Sequence, residues 1–203
     1  EYIYEMLTLG TTLDQTIDGS RREYTLHYID WKHPENNTFH IAEEYRVSTT
    51  DGKNELRPDL VLFVNGIPLA VIENKREDLK NPIREAISQH LRNQQEDRIR
   101  KLYVYAQILM SCAVGQAKYG TNGTPENFWS TWREKEIPEE EISGVKNKPA
   151  DPEVIRKIIG ARQASPYFSK EQAEAIQQRL TESYHLTAQD ILLYSMASPR
   201  RLL

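Results

Sequence analysis

The sequence contains a single cysteine, Cys112, in 203 residues. That excludes an internal disulfide and a cysteine-rich zinc site, and it makes a reducing compartment, the cytoplasm, the expected location. Also lacking is any run near the roughly 18 apolar residues that a membrane span needs. The longest runs, Leu60 to Val64 and Ile67 to Ile72, are strand-sized, so a soluble protein with no membrane partner is expected. Positive charge is in deficit as well: 26 Lys and Arg stand against 30 Asp and Glu, a net charge of -4. No global field therefore advertises nucleic acid. The chain opens at Glu1 without methionine or a charged-then-apolar leader, and is expected to be a fragment of a longer protein. It shows no internal repeat and no low-complexity tract.

What is present suffices for a core. Hydrophobic residues make up 38% and charged residues 28%, above the composition that forces disorder. The length sets one compact domain as the expectation, with an appended helical segment.

Residues 1–75 alternate apolar and polar positions between turn formers, which predicts short strands. The strands fall at Tyr24 to Ile29, Phe39 to Val47, Leu60 to Val64 and Pro68 to Lys75, broken at Asp18-Gly19, Asn36-Asn37, Asp51-Gly52 and Asn65-Gly66. Each of these pairs tolerates positive φ. From Asn81 to about Tyr103 the spacing of Ile83, Ala86, Ile87, His90, Leu91 and Gln94 predicts one long helix, with Pro82 suited to its start. A strand is predicted over Leu102 to Cys112 and a partner strand through Ala117 and Tyr119.

Residues 134–152, charged and holding Pro138, Pro149 and Pro152, predict a surface loop or linker. Helical patterns follow at Glu153 to Ile159, Ser169 to Tyr184 and Thr187 to Met196, with Ser169 and Thr187 as N-caps. The tail reads as a separate helical layer.

Chemistry concentrates in Arg57-Pro58-Asp59, an apolar strand, Asn65-Gly66, a second apolar strand, and then Glu73-Asn74-Lys75. Strand side chains alternate faces, so Glu73 and Lys75 share one side, and a hairpin returns Asp59 beside them. Two converging carboxylates repel and lose solvation unless a cation compensates. Oxygen ligands without a His or Cys cluster point to Mg2+ or Mn2+, which can hold a scissile phosphate and activate water. Lys75 could orient that water or neutralise developing charge. The plain alternative is a solvated strand-end salt bridge, since acid-x-Lys triplets are common by chance. The apolar strands on both sides argue for the site, because they place polar exceptions where core residues are expected.

The site also carries a parity condition. A two-residue Asn65-Gly66 loop would pair Val64 with Ile67 and Asp59 with Ile72, leaving Asp59 on the face opposite Glu73. Convergence predicts either a three-residue loop, which pairs Val64 with Pro68 and Asp59 with Glu73, or a bulge.

Pro58-Asp59 followed by Glu73-x-Lys75 resembles the PD-(D/E)xK nuclease motif. The wider text RPDLVLFVNGIPLAVIENK resembles the N-terminal nuclease region of the restriction (HsdR) subunit of type I restriction-modification enzymes. So do YIDWKHPENNTFHIAEEY upstream and AISQHLRNQ, YGTNGTPENFWSTW and SPRRLL downstream.

The resemblance implies an α/β fold: a restriction-endonuclease-like mixed central sheet flanked by helices, over residues 1–150, with a C-terminal helical segment, 151–203, leading toward an absent ATP-dependent translocase. It implies Asp59 and Glu73 as metal ligands together with the backbone carbonyl of Asn74, and Lys75 as the catalytic lysine. The activity implied is that of a type I site-specific deoxyribonuclease: Mg2+- or Mn2+-dependent, non-specific endonucleolytic cleavage of double-stranded DNA after motor-driven translocation. Modification and specificity subunits are the implied partners. The family often has a glutamine followed four residues later by tyrosine; Gln89 fits the first position, but Asn93 stands at the second.

A phosphate-binding loop ending in Gly-Lys and Ser or Thr is absent, so ATP would act only through motor domains outside this chain. The Gly115 to Thr121 stretch is read as a turn between strands. Arg84 and Arg92 on the long helix are candidate phosphate contacts, although each is individually better explained as part of a solvated helix face. The histidines show no ligand spacing, Cys112 reads as core, and Trp31, Trp129 and Trp132 read as packing. A rival assignment is a catalytically silent docking module of the same fold, which the complete Asp59, Glu73 and Lys75 set disfavours. A solitary nuclease acting without a motor is a third, weaker option.

Overall fold

A computed structural model describes residues 2–164, 166, 168–179 and 184–202. Its centre is a five-stranded sheet formed, in spatial order, by β3 (Phe39–Glu43), β6 (Leu60–Val64), β7 (Ile67–Asn74), β8 (Ile108–Ala113) and β9 (Gln116–Gly120). β7 and β8 run parallel and the other neighbours antiparallel. The sheet is therefore mixed, with α2 (Pro82–Asn93) and α3 (Arg100–Tyr105) in the crossover between its parallel strands.

The two faces of the sheet are read directly from residue parity. Val61, Val71, Leu109 and Ala113 face α2 and α3, packing with Ile83, Ile87, Ile99, Leu102 and Tyr103. Leu62, Ala70, Ile72, Met110 and Cys112 face the other way, toward Leu192 of α7 (Ala188–Ala197). Helices on both faces explain why β6 and β7 are apolar without alternation. A third cluster joins Leu7 of α1 (Tyr2–Leu9), Val64, Leu69 and Leu202 of α8 (Pro199–Leu202) at the hairpin end.

The hairpin between β6 and β7 meets the parity condition by the second route. Asn65 and Gly66 form a two-residue turn with φ of 52° and 82°, and Val64 pairs with Ile67 and Phe63 with Pro68. The pairing then skips Leu69: Leu62 faces Ala70 and Leu60 faces Ile72. The three-residue loop is thus not used, and a bulge at Leu69 restores the register that carries Asp59 opposite Glu73. Pro68, which has no N–H to give to the ladder, sits beside the irregularity.

Asn65 fixes this turn from outside. Its Oδ1 accepts from the Thr38 N–H at 2.8 Å, and its Nδ2 donates to the Tyr28 carbonyl at 2.9 Å and to Asn37 Oδ1 at 2.8 Å. Asn65→Ala is expected to cost about 2 kcal/mol, from the lost bonds and the left-handed backbone together. Asn65→Gly is expected to cost less, and urea unfolding of the pair checks both.

Several sequence expectations are corrected. The predicted strand Tyr24 to Ile29 lies earlier, as β2 (Ser20–Leu26), hairpinned with the unpredicted β1 (Thr11–Ile17) through Asp18-Gly19. The strand expected to run from Phe39 to Val47 stops at Glu43, where Glu44 takes φ of 47°. Val47 instead joins the short β4 (Val47–Ser48), paired with β5 (Glu55–Leu56).

The single helix expected from Asn81 to Tyr103 is two helices. At about 100° per residue, continuing α2 would turn Asp97 and Lys101 inward and Ile99 and Tyr103 outward. The chain breaks after Asn93 and restarts at Arg100, which buries Ile99 and Tyr103. Leu102 to Tyr105 is accordingly helix, and the strand predicted from Leu102 begins only at Ile108.

Within Gly115 to Thr121 only the start turns, since Gln116–Gly120 is the edge strand β9. The expected loop over 134–152 contains α4 (Glu139–Lys146), whose acidic first turn suits a helix N-terminus and whose Ile142 is buried. α5 (Pro152–Gln163) extends the predicted helix at Glu153, and α6 (Lys170–Arg179) follows the Ser169 cap. Residues 180–183 of the predicted Ser169 to Tyr184 helix lie outside the described residues. Thr187 closes a capping box with Asp190.

Candidate active site

The bulged hairpin and the parallel β7/β8 pair place the polar exceptions of four strands in one row. Asp59 precedes β6, Glu73 lies opposite it near the end of β7, Ser111 pairs with Glu73 from β8, and Lys118 pairs with Ser111 from β9. All four fall on the face covered by α2.

Glu73 is fully buried, and neither carboxylate oxygen has a hydrogen-bond partner of ordinary geometry. Burial first and the nearby Asp59 second push its pKa up to about 8, against the opposing pull of Lys75. Asp59 is half-buried and is oriented by the backbone of the other strand, its Oδ2 accepting from the Asn74 N–H at 2.7 Å. Lys75 lies one residue beyond β7 and its own N–H donates to the Cys112 carbonyl at 2.9 Å. Its Nζ sits 3.8 Å from Glu73 Oε2 and 4.0 Å from Asp59 Oδ2, and donates to Gln89 Oε1 of α2 at 2.7 Å. The ammonium is thus aimed between the two carboxylates by a neutral acceptor.

Helix α2 is itself pinned under the site. His90, buried and with its pKa lowered to about 4 mainly by desolvation, is neutral. Its Nε2 lies 2.9 Å from the Met110 carbonyl and its Nδ1 3.1 Å from the Tyr103 hydroxyl. A carbonyl can only accept, so Nε2 carries the proton and Nδ1 accepts from Tyr103. Trp129 stacks on the other side of His90 at 5.2 Å between centroids, and Gly120 allows that approach, since a Cβ there would meet the Trp129 ring at 2.9 Å. Asn93, where the resemblance expects a tyrosine, interacts with the Tyr103 hydroxyl. α3 therefore supplies the phenol beneath this helix.

The structure brings Asp59, Glu73, Asn74, Lys75 and Gln89 together. It does not bring Arg84 and Arg92 to them by any described contact: Arg84 pairs with Glu126 at 2.9 Å and Arg92 donates to Ser88 Oγ at 3.0 Å. Sequence reasoning missed Ser111 and the His90–Tyr103 support. The lone hydroxyl in the apolar run Ile108–Ala113 was the available signal for the first; nothing local announced the second. Cys112 is buried, its thiol pushed up to about 12 by desolvation, as befits core.

Residues 1–128 match the family described as the type I restriction enzyme R protein N terminus. The chain belongs to this family. It is 32% identical over 127 residues to the putative type I restriction enzyme MjaIXP endonuclease subunit of Methanocaldococcus jannaschii, covering 62% of this chain and 12% of that protein. To the type I restriction enzyme HindI endonuclease subunit of Haemophilus influenzae it is 30% identical over 134 residues, 64% of this chain and 12% of the relative. A second Methanocaldococcus jannaschii protein, the putative MjaVIIIP endonuclease subunit, is 32% identical over 152 residues, 71% and 14% of the respective chains. The matched part is thus a small share of much longer relatives. Asp59, Glu73, Lys75 and Gln89 all fall inside the family match.

Among the described residues no cluster of three or more His, Cys, Asp and Glu side chains is assembled, so any metal here must draw on two carboxylates plus backbone or water oxygens. The donors fit a hard divalent ion on that basis: they are all oxygen, and both oxygens of Glu73, buried beside Asp59, lack a hydrogen bond of ordinary geometry. No described helix is long and apolar enough to cross a membrane.

Proposed function

We propose that this chain is the nuclease domain of a type I restriction endonuclease subunit, hydrolysing phosphodiester bonds of double-stranded DNA. The carrying observation is the placement of Asp59, Glu73 and Lys75 at one point by a bulge that the site's parity requires. Asp59, Glu73 and the Asn74 carbonyl are the groups suited to hold Mg2+ or Mn2+. Bound there, such an ion would neutralise the carboxylates, bind the scissile phosphate and lower the pKa of a water.

The chain's own residues do the rest. The Asn74 N–H fixes the Asp59 carboxylate. Lys75, held by Gln89, presents a cation to the attacking water and to charge growing on the phosphate. Burial of Glu73 excludes competing solvent from that side. The net charge of -4 leaves little general attraction for DNA, so delivery of substrate falls to the specificity and modification subunits and to ATP-driven motor domains beyond this chain. We take the cutting to be non-specific with respect to sequence, since the residues gathered at the site serve phosphate chemistry, and the setting to be cytoplasmic.

Calorimetric titration with Mn2+ tests the reading. Asp59→Asn is expected to weaken binding by more than roughly tenfold. Wild-type affinity in that variant would overturn the assignment of the site.

A further inference from the structure

Six buried side-chain atoms find no hydrogen-bond partner among the described residues: both carboxylate oxygens of Glu73, Asn74 Oδ1, Ser111 Oγ, Trp132 Nε1 and Ser195 Oγ. Four of them belong to three residues that adjoin in the sheet, because Asn74 follows Glu73 and Ser111 is the register partner of Glu73 in the parallel pair.

Ser111 is fully buried, in the strand Ile-Leu-Met-Ser-Cys-Ala whose other members are apolar. Alanine would fill the position without desolvating a hydroxyl, and a buried hydroxyl lacking a partner is destabilising. Its retention makes sense where a second state supplies the partner. Neighbouring strands stand about 4.8 Å apart, so the serine side chain lies alongside Glu73 on the shared face. An ionised carboxylate is purely an acceptor with several lone-pair positions. Gln89 reaches Lys75 at the site from α2, and Ser111 is the hydroxyl on the β8 side.

We propose that Ser111 is a positioning residue of the metal site, its hydroxyl donating to the Glu73 carboxylate when a divalent cation is bound and thereby fixing the orientation of that carboxylate toward the cation. This rests on the metal-dependent nuclease reading above. It assigns to β8 a role in the site that the three-residue motif on β6 and β7 does not contain.

Mn2+ affinity and thermal stability, measured on the same variants, test it. Ser111→Ala is expected to bind Mn2+ roughly tenfold more weakly, the scale on which groups orienting a metal ligand act. Its metal-free melting temperature should stay level or rise by a few degrees, because the unpaired hydroxyl is gone. Ser111→Thr, which retains the hydroxyl, should recover most of the affinity. Ser195→Ala removes the comparable orphaned hydroxyl from α7, away from the site, and should leave Mn2+ affinity unchanged.

Wild-type affinity in Ser111→Ala, beside affinity lost in Asp59→Asn, overturns this inference alone. So does a fall in melting temperature that accounts for the weaker binding, since that marks a structural serine. A wild-type chain that fails to bind Mn2+ overturns the nuclease reading and this inference together.

Discussion

Under the proposed function, Lys75→Ala in the full-length enzyme is expected to lower DNA cleavage by roughly 10^3-fold or more, with the proposed motor's ATP hydrolysis and translocation retained. The ammonium stands 3.8 Å from Glu73 and 4.0 Å from Asp59, too far for short ion pairs and well placed to meet a phosphate or water lying between them. Its hydrogen bond to Gln89 sets direction without cancelling charge. Gln89→Ala is therefore expected to be milder, because the lysine remains present but loosely aimed. A plasmid cleavage assay run beside an ATPase assay reads the separation. If ATPase activity fell together with cleavage, the lysine would belong to the motor's workings or to the fold, and the catalytic role would be wrong.

Glu73→Gln is expected to stabilise the metal-free protein while abolishing cleavage. Burial and Asp59 raise the Glu73 pKa from 4.5 to about 8, so between those values the folded chain keeps a proton that the unfolded chain has released. At this group the folded state binds more protons there, so the contribution of Glu73 to stability must fall as pH rises through the window. One proton held across a pH unit is worth about 1.4 kcal/mol, so the loss between pH 4 and pH 7 amounts to about 3 kcal/mol. Glutamine stays neutral and removes this slope. Urea unfolding of both proteins at pH 4.5 and pH 8, read as their difference so that the opposite contribution of buried His90 cancels, should show the wild type losing stability relative to Glu73→Gln as pH rises.

The same proton links to metal binding. A cation can use Glu73 only after displacing it, so Mn2+ affinity should climb about tenfold per pH unit below pH 8 and level off above. An affinity independent of pH from 5 to 8 would mean that Glu73 is already ionised in the folded protein, and both expectations would fail.

The strands that bear the candidate site, and the residues they bring together, are legible along the chain. Leu60 to Val64 is a strand to the residue, and β7 is displaced by a single position, because fully apolar runs between turn pairs have few other ways to be buried. Acid, acid and lysine at that spacing announced their convergence, and parity demanded an irregularity in the hairpin. Thr187 and Ser169 capped their helices because capping is a local bond between neighbours.

Where the irregularity fell was a matter of tertiary packing. The turn is tight because Asn65 is claimed by Tyr28, Asn37 and Thr38, segments far off in sequence, and the extra residue moved to Leu69, whose side chain the core at the hairpin end could bury. The break between α2 and α3 was likewise set by the sheet beneath them, which draws Ile99 and Tyr103 inward against local helical continuity. Ser111 reached Glu73 only through a parallel pairing that closes across a crossover of more than thirty residues. Periodicity reports which face of its own element a residue prefers; which elements become neighbours depends on long-range packing, and there the last members of the site were placed.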